Sequence, residues 1–198
     1  MQANGLHSSD LRGWVFNPGM LFNAPDKWWG DRGQRDFPHE GIDFCLYQDR
    51  AGLVHRVDRQ TRIPVMHSGV IRSIFSDYLG QAVVVEHRDP YTGNRPFISI
   101  YAHTKPLDGI QPGVSVEEGD IIATIADTRR SKAGIFPHLH YSLGYPKATL
   151  PYESFVWNNM RDPHLIALLD PRGTIDRPCL VMDHEVLEVT HPSKRNLD

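Results

Sequence analysis

The sequence predicts a mostly β protein: an antiparallel sandwich or barrel-like fold with an irregular N-terminal segment and a short C-terminal extension. Two observations carry this reading. From residue 39 to about 145 the chain is a series of short runs rich in Val, Ile, Phe and Tyr, namely IDFCLY, GVIRSIF, QAVVVEH, FISIYAH, DIIATIA and LHYSLGY. Clusters of Gly, Pro, Asp and Asn separate these runs at short spacing, as expected where strands follow one another through tight turns. No internal repeat or low-complexity tract interrupts the pattern.

In chain order, residues 1–36 come first. They are rich in Trp, Gly, Pro and Asn (GWVFNPGMLFNAPDKWWGDRG) and read as irregular structure laid over the domain rather than as a helix or a tail. Three of the four tryptophans fall here, which suggests packing against something. Residues 37–150 form the β domain. In the extension, 151–198, SFVWNNM and HLIALLD read as a short helix or helical turns, and CLVMDHEVLEV as a final strand.

Composition narrows the class of function. Hydrophobic residues make up 40% and charged residues 23% of 198, enough apolar material for an ordinary folded core. With 21 basic and 24 acidic side chains the formal charge is -3, which argues against a dedicated nucleic-acid binder and its concentrated cationic face. No apolar run approaches the roughly 20 residues of a membrane-spanning helix. The N-terminus, MQANGLHSSDLRGW, lacks the charged start and apolar stretch of a signal peptide. Cys45 and Cys179 stand far apart; one disulfide between them is compatible with the sequence, but nothing resembles a disulfide framework or a CxxC zinc site.

Four of the 11 histidines sit in patterns that invite a metal. In His39-Glu40-Gly41-Ile42-Asp43 an imidazole and a carboxylate lie four apart, and they converge if a turn feeds directly into a strand. Both are good zinc ligands, yet alone the motif is equally a surface turn. In Pro137-His138-Leu139-His140 the two histidines are two apart, so a strand places both on one side and Leu139 on the other. Two adjacent imidazoles repel when protonated, which is awkward unless a metal or a reaction uses them. His103 ends the FISIYAH run and decides nothing by itself. Together the pieces fit two neutral imidazoles and one carboxylate with an open fourth position, the arrangement of catalytic rather than structural zinc. The remaining histidines (His7, His55, His67, His87, His164, His184 and His191) are not paired at ligand spacing and read as solvated or locally hydrogen-bonded, with His67 near a strand end the one to watch. His87-Arg88-Asp89 spells a kinase triplet without the glycine-rich loop or DFG that would accompany it.

HEGIDF resembles the HxxxD zinc motif of the M23 (lysostaphin/LytM-like) metallopeptidases, and PHLHYS resembles their HxH motif. FISIYAH is similar to the family's Tyr-x-His segment. GIQPGVSVEEGDIIATIAD is similar to the turn and strand leading into HxH, and WWGDRGQRDFPHEG to the glycine-arginine stretch before the first zinc histidine. The resemblance spans about residues 28 to 145 with the motifs in family order. It implies His39, Asp43 and His140 as ligands of Zn2+, and His103 and His138 as the catalytic pair that activates water and stabilises the oxyanion. It also implies a small, mostly antiparallel β fold of duplicated hybrid type, a peptidoglycan peptide substrate, and an extracytoplasmic place of work, periplasmic or secreted. Ile135-Phe136 stand where the family has a small Ser/Thr-Gly pair, and residues 47–64 are longer and more charged than the usual tight turn. Two other classes stand beside an active endopeptidase. One is a non-catalytic relative that binds or activates a wall-processing partner. The other is a phosphate or cofactor carrier of related hybrid architecture, which GVSVEEGDIIATI also resembles but which has no use for the HxxxD pair.

Overall fold

Thirteen strands in two sheets dominate the computed structural model, which describes residue 4 and residues 10–88, 95–128, 131 and 134–183. The smaller sheet runs in the order β13 (Cys179–Val181), β1 (Leu11–Phe16), β3 (Leu46–Asp49), β4 (Val54–Arg56). In it β13 is parallel to β1 and the other pairs are antiparallel. The larger sheet runs β12 (Ile166–Leu169), β11 (Leu139–Pro146), β8 (Pro96–Pro106), β7 (Gln81–Arg88), β6 (Gly69–Ser76), β9 (Ser115–Val116). To it β2 (Ile42–Phe44) adds on β11, and β10 (Ile121–Ile125) adds on β8 while pairing with β5 (Arg62–Pro64). All of these larger-sheet pairs are antiparallel, as the punctuated apolar runs predict.

The VVV run of β7 follows from its position. Val83 and Val85 enter the main core with Phe16, Ile42, Leu46 and Tyr101. Ala82 and Val84, on the opposite face, join Ile98, Ile100 and Ala102 in a second core. Strands buried on both faces have no need of a polar alternate. The second core is closed by Leu150 and by the C-terminal extension, through Phe155, Met160 and Ile166. Each such side chain contributes about 1.5–3 kcal/mol when fully removed from water. Phe155 and Met160 thereby fix the short helix α1 (Trp157–Arg161) against the back of β7 and β8.

Two sequence expectations need correcting. HLIALLD holds a strand, not a helix, because β12 pairs with β11 from Leu143↔Leu169 to Pro146↔Ile166. Gly144 makes room for it: a Cβ there would lie 2.7 Å from the Ile166 side chain. The N-terminal segment, read as irregular, includes strand β1, with Gly13 set so close to the Pro178 carbonyl that a Cβ would lie 2.5 Å from it. The final strand covers Cys179–Val181, and residues 184–189 of that run lie outside the described residues. SFVWNNM does hold the helix α1, and IDFCLY divides into β2 and β3. Cys45 and Cys179 are both free.

Candidate active site

Two chain segments and one register bring the ligand set together. The turn His39-Glu40-Gly41 feeds straight into β2, whose Asp43 pairs in register with His140 of β11. Gly41 is required by space: a Cβ would lie 2.3 Å from the Tyr141 carbonyl oxygen. His39 Nε2 stands 3.1 Å from Asp43 Oδ1 and 3.0 Å from His140 Nδ1, and His140 Nδ1 is 3.0 Å from the same Asp43 oxygen. All three side chains are buried. Ligand atoms around one zinc at about 2.0–2.1 Å stand about 3.3 Å apart, so the triangle matches one face of a tetrahedron.

The surrounding bonds decide which atoms point inward. His39 Nδ1 donates to the Leu21 carbonyl at 3.0 Å, which leaves Nε2 bare. His140 turns its Nε2 to Ser142 Oγ at 2.8 Å and presents Nδ1. At most one proton can then lie among three lone-pair atoms held about 3 Å apart, an arrangement that a cation relieves. The donor set therefore fits zinc. Asp43 spends its other oxygen on the Trp28 indole N–H at 2.6 Å, with the Arg35 guanidinium 3.9 Å away. Burial pushes the Asp43 carboxyl up, but the facing His39 and His138 and the bonds to His140 and His39 hold it well below the usual carboxylate range. The N-terminal segment clamps this turn: the Asn23 N–H donates to the His39 carbonyl and the His39 N–H to that of Ala24.

The other two predicted histidines face the same centre. His138 Nδ1 donates to the Phe136 carbonyl at 2.7 Å, and its Nε2 lies 3.8 Å from Asp43 Oδ1. Burial lowers the His138 pKa to about 3, with His103 adding to the effect and Asp43 opposing it, so the ring is neutral near pH 7. His103 is the junction of β8, where pairing passes from β11 (through Ala102) to β10 (from Thr104). Its φ is 60°, an unusual conformation for a non-glycine residue and one that recurs at functional sites. Asp77 stabilises it, accepting the His103 backbone N–H at 2.8 Å and standing 3.2 Å from its Nδ1. Burial raises the Asp77 carboxyl, yet the hydrogen bonds and charge of His103 outweigh it and bring it to about 2. The rings of His103 and His138 lie 4.8 Å apart.

A cleft of about 220 Å3 opens onto the centre, lined by His39, Asp43, His103 and His140 together with Trp29, Arg35, Phe37, Tyr78, Trp157 and Arg161. Sequence reading did not single out Trp28, Arg35, Asp77, Tyr78, Ser142, Trp157 or Arg161 for a role here. The N-terminal tryptophans and arginines lay in the stretch similar to the family's pre-histidine segment, while Asp77 and Trp157 carried no local signal. Glu40, inside the first motif, is buried and anchors α1: its Oε1 accepts from the Trp157 indole N–H at 3.1 Å and from Arg161 Nε. Burial raises Glu40, and His140 with Arg161 more than offsets this, so the carboxylate stays charged. His67 does not reach the cleft; it packs edge-on to His87 and Phe97, near the opposite end of β8 from His103. His55 bonds Asp49 at 2.7 Å and His87 bonds Ser99 at 2.6 Å, local roles as expected, while His7, His184 and His191 lie outside the described residues. Phe136 takes the Arg56 guanidinium over its ring at 3.9 Å. The long 47–64 stretch contributes β3, β4 and β5 and lines a separate cavity of about 590 Å3.

Among the described residues no helix is long and apolar enough to cross a membrane. The chain is similar in structure to LytU, with a TM-score of 0.46 and 20% identity over 81% of this chain and 87% of that one. It is also similar to the catalytic domain of the antimicrobial peptidase lysostaphin from Staphylococcus simulans (TM-score 0.40, 15% identity, 81% and 86% covered). A third likeness is to a mutant catalytic domain of the prophage-encoded M23 protein EnpA from Enterococcus faecalis (TM-score 0.40, 20% identity, 68% and 87% covered). No curated protein sequence matches. The family model described as peptidase family M23 matches residues 38–150, more than half of the chain and a span that includes His39, Asp43, His103, His138 and His140. The chain therefore belongs to peptidase family M23.

Proposed function

We propose that this chain is a zinc-dependent endopeptidase that hydrolyses peptide bonds in the stem or cross-link peptides of peptidoglycan, outside the cytoplasmic membrane. Family membership supports the reaction class and the substrate. The observation that carries the reading is the convergence of His39 Nε2, Asp43 Oδ1 and His140 Nδ1 within 3.0–3.1 Å, with two further histidines facing the same centre.

His39, Asp43 and His140 would hold the zinc. Bound there, it supplies Lewis acidity that lowers the pKa of water from about 15.7 to about 7. The chain's own residues do the rest. His138, neutral and with Nδ1 committed to the Phe136 carbonyl, offers Nε2 as a hydrogen-bond acceptor that orients the attacking water. The Asp77 carboxylate, 3.2 Å from His103 Nδ1, favours the tautomer with its proton there, which leaves His103 Nε2 to take a proton from water and return it to the leaving amine. While protonated, His103 is a donor for the oxyanion. Tyr78, an exposed phenol that is protonated near pH 7, lines the cleft as a second donor.

The test is mass-spectrometric analysis of purified wall and synthetic cross-link peptides treated with the zinc-loaded chain. Cleavage at one type of bond, absent with His103→Ala and His138→Ala, is the expected outcome. A zinc-loaded chain that leaves every peptide intact would contradict the reading.

A further inference from the structure

Residues 151–198 lie beyond the part of the chain that the family model matches, yet α1 reaches into the candidate active site. The Trp157 ring is parallel to the His103 ring, with 8° between planes and 5.8 Å between centroids, and lies 5.1 Å from the His140 ring. Its indole N–H is bonded to Glu40, the neighbour of ligand His39, and Arg161 one turn later is bonded to the same oxygen. Behind it, Phe155 and Met160 are sunk in the second core, so the helix is pinned from both sides. Trp157 itself is half-buried and lines the cleft, as do Trp29 and Arg35 of the N-terminal segment. At about 220 Å3 the cleft is smaller than the roughly 300–1,000 Å3 of most small-molecule sites.

We infer that Trp157 is a specificity-determining and positioning residue of this site: it fixes the His103 ring and narrows the cleft so that only small side chains fit beside the scissile bond. The inference rests on the proposed peptidase reading and adds to it a residue and a size limit. A flat indole stacked on the imidazole restricts rotation of His103 about its Cβ–Cγ bond, a motion that would carry Nε2 away from the centre. The same indole occupies the space a larger substrate side chain would need.

Two measurements test this, one of them independent of catalysis. Zinc-loaded wild type and Trp157→Ala are titrated calorimetrically with two dipeptide hydroxamates, one built on glycine and one on leucine. Wild type is expected to prefer the glycine compound. Trp157→Ala is expected to raise the leucine-to-glycine affinity ratio at least tenfold while still holding about one zinc per chain, and Trp157→Phe to restore most of the preference. In cleavage assays the same variant is expected to lose kcat on the small substrate by about 10- to 100-fold while gaining relative kcat/KM on the bulky one. An unchanged affinity ratio would overturn the inference, as would loss of zinc from Trp157→Ala, which would make the indole a support of the metal site instead. The hydroxamate ratio does not depend on turnover, so a wild type that binds hydroxamates but cuts nothing would count against the peptidase reading alone. In zinc-free protein the His103 ring-proton resonances are expected to shift downfield in Trp157→Ala as the indole ring current is lost; resonances that stay in place would also overturn it.

Discussion

The ligand cluster and the histidine pair of this site are built by opposite means. His39, Asp43 and His140 point their donor atoms at one another, and their outward atoms are tied to Leu21, Trp28 and Ser142. In His103 and His138 each Nδ1 is backed by its own group, bonded to the Phe136 carbonyl in His138 and 3.2 Å from the Asp77 carboxylate in His103, and neither Nε2 is hydrogen-bonded among the described residues. The first arrangement converges lone pairs on one point, as a cation site would. The second keeps two lone pairs for transient partners. On the proposed reading, side chains of one residue type thus separate into holders and actors according to what stands behind each ring.

That separation gives graded predictions. The largest effect belongs to His39→Ala and His140→Ala: each is expected to lose zinc and to reduce peptide cleavage to background, read by elemental analysis and by peptide assay. His103→Ala and His138→Ala come next. Both are expected to keep about one zinc per chain while kcat/KM falls by about 10²- to 10⁴-fold. Zinc loss in either would erase the distinction between the two groups. Trp28→Phe removes the N–H that holds Asp43 Oδ2 and leaves the ring; zinc affinity, measured by competition with a chelator, is expected to weaken by about 10- to 100-fold.

Asp77→Asn probes the pair from behind. The wild-type carboxyl titrates near 2 when folded, below its ordinary value near 4, so its charge stabilises the fold above pH 4 and that contribution is lost as pH falls from 4 to 2. With the side chain fully buried, the variant is expected to be about 2 kcal/mol less stable at pH 7 in urea titrations, with the gap closing toward pH 2. A gap independent of pH would place the loss in packing rather than charge. The smallest effect belongs to the other face of β11, where the buried Tyr141 hydroxyl has no hydrogen-bond partner among the described residues. Tyr141→Phe is expected to change stability by less than about 0.5 kcal/mol, whereas Ser142→Ala, which deprives His140 of its outer partner, is expected to weaken zinc binding.

Much of this was legible in the sequence because the site is built from short-range patterns. HEGIDF carries a ligand pair on a turn entering a strand, and PHLHYS carries two histidines on one side of the chain with Leu139 on the other. Most of the longer strands of the larger sheet, β6, β7, β8, β10 and β11, were legible for the same reason. What could not be read depends on pairing between distant segments. HLIALLD fits a helix or a strand equally by its own apolar run, and only β11 with the space at Gly144 decides for the strand. β1 was hidden among glycine, asparagine and proline, and is held in place by β3 and β13 from far along the chain. Asp77 reaches His103 across 26 positions and Trp157 reaches Glu40 across 117, distances over which sequence periodicity carries no information.

The most direct test is the zinc content of the purified full chain, compared with His39→Ala, His140→Ala, His103→Ala and His138→Ala. The account predicts about one zinc per chain in the wild type and in the His103 and His138 variants, and none in the other two. A wild type that stays metal-free after zinc is added, or ligand variants that hold zinc as well as the wild type does, would contradict it.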